Sequence, residues 1–144
     1  MKINYDCVRA LLLCLENELQ FDDELRCPDL KFDKVCEIIS NYSPQDIAYS
    51  SLMLSEADYI NVLIVSGNNK FNGAIYTGIT FEGHQYLDSI RSDKVWNKIK
   101  KKLSTEGVSL TLQIIKKCCY FNNYKFTSRI TSRINRNTFY IADQ

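Results

Sequence analysis

Six cysteines are the residues of this chain best suited to forming disulfides or binding a metal ion. A structural zinc site needs cysteines two to four residues apart, or histidine partners, and the spacings here are wider or, in one adjacent pair, tighter. Cys7 and Cys14 are seven residues apart on the apolar stripe of a predicted helix, and we interpret them as small buried hydrophobic residues. We expect a reducing compartment, no metal ion and no cofactor for the six cysteines. They are Cys7, Cys14, Cys27, Cys36, Cys118 and Cys119.

The single histidine, His84, is the natural candidate for acid–base catalysis, and it follows Glu82 and Gly83 in a sequence typical of a helix start. A histidine base needs a nucleophile or a substrate proton within reach, and the sequence identifies no serine or cysteine that must lie beside it. A phosphate-binding glycine loop and a zinc-binding His-Glu pattern are also missing from the sequence. We therefore expect a structural role for His84 and a protein that is not an enzyme.

Lysines and arginines cluster in the C-terminal part of the chain, where they could bind phosphates or carboxylates. Four of the lysines fall near one face of a predicted helix, and aromatic residues between 120 and 126 could stack on bases. The alternative is a solvated helix face followed by a loose tail. The candidate residues for binding nucleic acid or an acidic partner are Lys94, Lys98, Lys101, Lys102, Lys116, Lys117, Arg129, Arg133 and Arg136.

The formal net charge of +1 is the sum of two opposed halves. Residues 1–88 hold 6 Lys and Arg against 14 Asp and Glu, a net charge of −8, whereas residues 89–144 hold 12 against 3, a net charge of +9. This asymmetry indicates a charged partner more strongly than the total does. It also allows an oligomer in which the acidic half of one chain meets the basic half of another.

The elements that would position these residues can be predicted from periodicity and capping signals. Residues 4–19 are typical of an amphipathic helix capped by Asn4 or Asp6, and residues 31–39 fit either a strand or a short helix. Ser43 and Pro44 mark the start of a helix that runs to about Ala57. Its predicted inner stripe is Ile47, Ser51, Leu54 and Ala57, with Tyr49, Ser50 and Met53 facing elsewhere.

Further along the chain, two β-rich segments, 59–65 and 74–79, predict a hairpin with a polar tip. Thr80 then caps a helix to about residue 90, another helix begins at Ser92-Asp93 and ends before Gly107, and one more spans about 110–120. Hydrophobic residues are 45% and charged residues 24%, which excludes a disordered or collagen-like chain. No apolar run approaches the length of a membrane span.

This order of elements is the layout of a winged helix, and two local strings support it. The first, residues 54–60, ends a helix in a tight turn, where Asp58 occupies a position that favours a left-handed conformation. The second, residues 79–87, joins a strand directly to a capped helix, and Gly83 allows close packing there. We predict an α+β fold: a winged helix-turn-helix core with a β-hairpin wing and additional C-terminal helices.

With these strings in place, the chain resembles an uncharacterised bacterial and phage family, domain of unknown function 2513, over roughly residues 1 to 120. The Thr-Phe-Glu-Gly-His and Val-Trp-Asn-Lys strings carry most of the resemblance, whereas Ser50 stands where the family pattern has His and Asp58 where it has Gly. The resemblance implies a small cytoplasmic protein, often from prophages, with a winged-helix-like core; it implies no known reaction and no established catalytic residues. The matching segments are Tyr42-Ser43, Ile47-Ala48-Tyr49, Leu54, Glu56-Ala57, residues 79–84, residues 87–91 and residues 95–100.

A winged helix usually reads DNA through the helix that precedes the hairpin. Phosphate contacts from lysine and arginine supply most of the non-specific affinity for DNA, and residues 43–60 contain neither residue. A protein-interaction or dimerisation scaffold is therefore at least as well supported as DNA reading by this helix. The candidate residues of the recognition helix and the wing are Gln45, Tyr49, Ser50, Met53, Asn68, Asn69 and Lys70.

These observations predict a winged-helix-like core over residues 1–91, packed C-terminal helices over 92–124 and a basic extension over 125–144. The start of the chain shows no secretory leader, so we expect a cytoplasmic protein without a membrane segment. We expect a binding protein of phage or prophage type, DNA-associated or regulatory. The alternative is a module that modulates a host or phage protein complex or associates with itself as a homo-oligomer.

Overall fold

The computed structural model describes residues 1–107 together with Ile115. The chain divides into two compact units, Met1–Asp93 and Lys94–Gln144. The described residues form five helices and a three-stranded antiparallel sheet, which confirms the predicted mixed α+β class. The elements are α1 (Tyr5–Glu18), β1 (Leu30–Lys31), α2 (Phe32–Ile38), α3 (Pro44–Glu56), β2 (Ile60–Gly67), β3 (Lys70–Ile79), α4 (Phe81–Ile90) and α5 (Asp93–Thr105).

Helix α1 lies at the centre of the first unit and packs against α2, α3, α4 and β3. Asn4 caps it rather than Asp6, because the Asn4 side chain accepts a hydrogen bond from the amide of Cys7 at 3.2 Å. Its apolar stripe is buried, as the three- and four-residue spacing predicts. The buried residues of α1 are Cys7, Val8, Leu11, Leu12, Cys14 and Leu15.

The ambiguous segment 31–39 is mostly helical, and only Lys31 of it belongs to a strand. Leu30–Lys31 forms the two-residue strand β1, and the chain then turns directly into α2 at Phe32. Leu30 pairs with Tyr76 and Lys31 pairs with Ile75, so this short strand adds to the far side of β3.

Helix α3 begins as predicted, because the Ser43 hydroxyl accepts a hydrogen bond from the amide of Asp46 at 3.1 Å and Pro44 occupies the first turn. Ile47, Ser51 and Leu54 are buried, which confirms most of the predicted inner stripe, whereas Ala57 is half-buried. The Ser51 hydroxyl donates to the carbonyl of Ile47 at 2.8 Å and lies 2.6 Å from the hydroxyl of buried Tyr76.

Strands β2 and β3 form the predicted hairpin, and the sheet has the order β1-β3-β2. Asn68 and Asn69 make the two-residue turn with φ values of 53° and 56°, the left-handed conformation that asparagine tolerates in tight hairpins. The inner face of the hairpin carries Ile60, Ala74 and Tyr76, which are buried.

The two junctions of the hairpin are fixed together, which explains why both local strings occur in the sequence. Asp58 is left-handed, with φ 57°, and its carbonyl accepts a hydrogen bond from the Thr80 hydroxyl at 2.6 Å. The same hydroxyl accepts from the amide of Gly83 at 3.1 Å and so caps α4. At Gly83 a Cβ atom would lie 2.0 Å from the carbonyl oxygen of Tyr59, so only glycine allows α4 to pack this closely.

In the second unit the structure describes α5 and the turn that ends it. Gly107 adopts φ 64°, which confirms that it terminates this helix. The helix predicted over about residues 110–120 lies outside the described residues, except for Ile115, which is buried. The predicted ranges 1–91, 92–124 and 125–144 stay a prediction.

Candidate functional site

The face of α5 that carries lysines groups four exposed cations on one side of a single helix. Trp96, Ile99 and Leu103 recur at three- and four-residue spacing and are buried, which fixes the orientation of the helix about its axis. On the opposite side lie four exposed lysines, within an arc of about 100° given 3.6 residues per turn. This basic face consists of Lys94, Lys98, Lys101 and Lys102.

None of the four lysines of the basic face forms an ion pair with any other described residue. Their ammonium groups therefore remain available to bind phosphates or carboxylates. Lys100 differs from them, because its ammonium group lies 5.8 Å from the centre of the Trp96 ring and makes a cation–π contact there. Lys100 thus packs along the flank of the helix rather than extending the basic face.

The outward face of α3 is the second predicted surface, and it differs from the prediction at one residue. Gln45 is exposed, and Tyr49 and Met53 are half-buried, so these three side chains are partly available to a partner. The prediction that Ser50 faces outward is wrong, because only 1% of its surface is exposed. Ser50 lies three residues after Ile47, so the helix turns its small side chain into the core.

Burial raises the pKa of the Cys7 thiol, and hydrogen bonding by Ser50 opposes this shift without overcoming it. Burial also raises the pKa of Cys14 to about 11. Both thiols are thus neutral at pH 7 and behave as small hydrophobic groups, as the sequence predicts.

The charge of the α3 surface is acidic throughout. Asp46, Glu56 and Asp58 lie on or just after the helix, and the first lysine or arginine after Ser43 is Lys70. Phosphate groups would therefore find no cation along α3 itself. This electrostatic arrangement suits a basic partner better than a nucleic acid backbone.

The tip of the hairpin holds the three predicted wing residues, Asn68, Asn69 and Lys70, all of them exposed. Their backbone is held by the tight turn, so the two amide side chains and one ammonium group project from a defined position. Lys70 alone contributes a positive charge to this surface. The wing therefore offers one cation, whereas the basic face of α5 offers four.

Sequence reasoning missed a polar network that joins α1 to the end of α4. Arg9 donates to the carbonyl of Ile90 at 2.8 Å and forms an ion pair with Asp93 at 2.7 Å, so it satisfies the C-terminal end of α4. Arg91 forms an ion pair with Glu16 of α1. Partners 75 or more residues apart leave no signal in a single sequence.

Within this network the charges stabilise one another. The hydrogen bond from Arg91 holds the pKa of the Glu16 carboxyl below its usual range, and the pKa of Arg91 is raised by the same bond. His84 lies beside the pair, with its Nδ1 3.9 Å from a carboxylate oxygen of Glu16. Glu16 of α1 is therefore a carboxylate neighbour of His84 on α4, so the histidine lies where these two helices meet.

The remaining predicted binding residues lie outside the described residues. They are Lys116, Lys117, Arg129, Arg133 and Arg136. Among the described residues, no cluster of three or more His, Cys, Asp or Glu side chains is arranged to hold a metal ion. No described helix has the length and apolar character needed to cross a membrane.

Comparison with known proteins gives a family but no activity. A family model described as a hypothetical protein (DUF2513) matches residues 2–109. An uncharacterized protein of Haemophilus influenzae is 30% identical over 116 residues, which cover 81% of this chain and 90% of that protein. No solved structure matches the chain at a significant level.

Proposed function

The chain belongs to the DUF2513 family, and we propose that this member binds nucleic acid through contacts between the basic face of α5 and the phosphate backbone. The observation that carries the proposal is the placement of Lys94, Lys98, Lys101 and Lys102. All four are exposed on one side of a helix whose other side is buried. Such a stripe of lysines is the usual electrostatic footprint of a phosphate-binding surface.

We further propose that the first unit is a winged helix. Three observations support this proposal: the order α1-β1-α2-α3-β2-β3, the sheet order β1-β3-β2, and a capped helix directly before a long hairpin. In a winged helix, α3 would be the helix that enters the major groove. Because α3 carries no cation, we assign the phosphate contacts to the basic face of α5 rather than to α3.

The test measures binding to labelled duplex and single-stranded DNA of mixed sequence by fluorescence anisotropy. The salt concentration is about 50 mM, at which phosphate contacts are strong. Each lost lysine–phosphate contact should weaken binding on the order of tenfold at this salt concentration. The double charge reversal Lys101→Glu, Lys102→Glu should therefore weaken binding on the order of 100-fold or more.

The control is Lys70→Glu, a single charge reversal at an exposed lysine of the wing, which is compared with Lys101→Glu alone as well as with the double variant. It should weaken binding less than Lys101→Glu alone and much less than the double variant, and circular dichroism should show that all three variants fold. If the wild-type chain does not bind either DNA at low salt, the proposal fails. If Lys70→Glu has the larger effect, the wing rather than α5 is the binding surface.

A second candidate function is a protein-interaction module that binds a basic partner through α3. The half-buried Tyr49 and Met53, together with the acidic charge of Asp46 and Glu56, favour this alternative. Self-association of acidic and basic halves is a variant of the same idea, and it would weaken as salt is added. The phage or prophage origin, the cytoplasmic location and the absence of catalysis expected from the sequence stay predictions.

A further inference from the structure

Strand β2 is the outer strand of the sheet among the described residues, and it lacks two features that often protect an edge, charged residues and proline. Its eight residues, Ile60–Gly67, include no charged residue and no proline. Irregular pairing occurs only near its ends, between Asn61 and Val62 and between Val65 and Ser66. Between these irregularities, residues 62–65 pair regularly with β3, and no described strand pairs with their other side. Edges of this kind readily accept another strand.

The outward face of the hairpin at the same place is apolar. The side chains of Leu63 and Val65 alternate with inward-facing residues and are 61% and 44% exposed. Across from them on β3 stand Ile75, which is half-buried, and Gly73, which has no side chain. The solvent face of an antiparallel hairpin is normally polar, so this exposed patch beside an open edge calls for a partner.

We propose that β2 pairs with β2 of a second copy of this chain, antiparallel and about a two-fold axis that passes close to Leu63. Such pairing would join the two three-stranded sheets into one continuous sheet of six strands. Residues that meet across the axis would lie on the same face, with Leu63 opposite Leu63 of the second copy and Asn61 opposite Val65. The apolar patches of the two hairpins would then become one larger patch.

The charge of β2 favours a second copy as the occupant. In a two-fold interface each strand faces an identical strand, so a charged residue near the axis would meet its own like charge. The whole of β2 is uncharged, although 24% of the chain is charged, and the pairing would therefore bring no such repulsion. The proposed pairing involves only the hairpin and is independent of the proposed binding of nucleic acid by α5.

The experiment is sedimentation equilibrium of the full chain over a wide range of concentration, at low and high salt. The wild-type chain should shift from monomer mass toward dimer mass as its concentration rises, and high salt should not reverse the shift, because β pairing and apolar contact are not screened. The variant Leu63→Lys should remain monomeric at every concentration. The control Asn72→Lys, which adds the same charge on an exposed residue of β3, should associate like the wild type.

Because Leu63 is mostly exposed, Leu63→Lys should keep the fold, and circular dichroism checks this. Three results would overturn the proposal: a wild-type chain that stays monomeric at all concentrations, a dimer that Leu63→Lys leaves intact, or a dimer that high salt dissolves. The last result would indicate pairing of the acidic and basic halves. A monomer whose β2 amides are all protected from hydrogen exchange would show that another segment of the same chain covers the edge.

Discussion

Replacing Gly83 with alanine would force a methyl group against the backbone of Tyr59. The added Cβ atom would lie 2.0 Å from the Tyr59 carbonyl oxygen, 2.9 Å from its carbonyl carbon and 2.7 Å from a methyl group of Ile79. The carbonyl cannot move aside cheaply, because it accepts the amide of Thr80 at 3.0 Å at the start of α4. Helix α4 must therefore shift away from the junction between α3 and β2.

The change in the free energy of unfolding caused by Gly83→Ala results from two opposed effects. Overpacking of a fixed core site usually costs about 1–3 kcal/mol, and a clash with backbone belongs at the upper end, about 3 kcal/mol. Replacing glycine with alanine inside a helix stabilises the helix by about 1 kcal/mol. The net loss in the free energy of unfolding should be about 2 kcal/mol. For a unit of 60–100 residues this corresponds to a fall in Tm of about 8–16 °C.

The assay is thermal and urea denaturation followed by circular dichroism, with Gly78→Ala as the matched control. At Gly78 an added Cβ would meet only the side-chain nitrogen of Asn61 at 3.6 Å, an ordinary contact, so this variant should stay close to the wild type. If Gly83→Ala unfolds at the same temperature as the wild type, or at a higher one, α4 does not pack on the Tyr59 carbonyl as described.

Two further predictions concern the polar contacts of the first unit. Ser51→Ala removes the partner of the buried Tyr76 hydroxyl and should lower the free energy of unfolding, measured by urea denaturation, by about 1–3 kcal/mol. Adding Tyr76→Phe should recover part of this loss. A Ser51→Ala variant as stable as the wild type would contradict the prediction. Because its pKa is lowered in the folded chain, Glu16 contributes stability that is present above its ordinary pKa of 4.5 and is lost as the pH falls through the lowered value. Glu16→Gln should therefore be less stable than the wild type by about 0.5–1 kcal/mol at pH 7 and equal to it at strongly acidic pH. If the difference in stability between the two proteins does not change with pH, the ion pair with Arg91 does not have this role.

Local signals in the sequence predicted much of the fold. The caps at Ser43 and Thr80 located the starts of α3 and α4, and Asp58 and Gly83 marked the two ends of the hairpin. Each of these residues acts on its own few neighbours, so its spacing is visible in the sequence. The segment 31–39 stayed ambiguous because β1 has only two residues and α2 follows it without a connecting turn, so neither periodicity could develop.

Contacts between distant segments could not be predicted in the same way. Arg9 at the end of α4 and Arg91 beside Glu16 depend on tertiary packing. The predicted outward position of Ser50 is wrong because serine is small enough for the core and polar enough for the surface, so its type does not distinguish the two faces. On α5, by contrast, the spacing of four lysines predicts one shared face, and the structure shows all four exposed on one side of the helix, opposite the buried Trp96, Ile99 and Leu103.

The salt dependence of DNA binding tests most directly whether the basic face contacts phosphates. The logarithm of the binding constant for duplex DNA is measured against the logarithm of salt concentration for the wild type, Lys98→Ala, Lys101→Ala and Lys70→Ala. Each substitution on α5 should reduce the slope by about 0.9, the value for one lost phosphate contact, while Lys70→Ala leaves it unchanged. Unchanged slopes for both α5 variants, or a reduced slope for Lys70→Ala alone, would contradict the proposed role of α5.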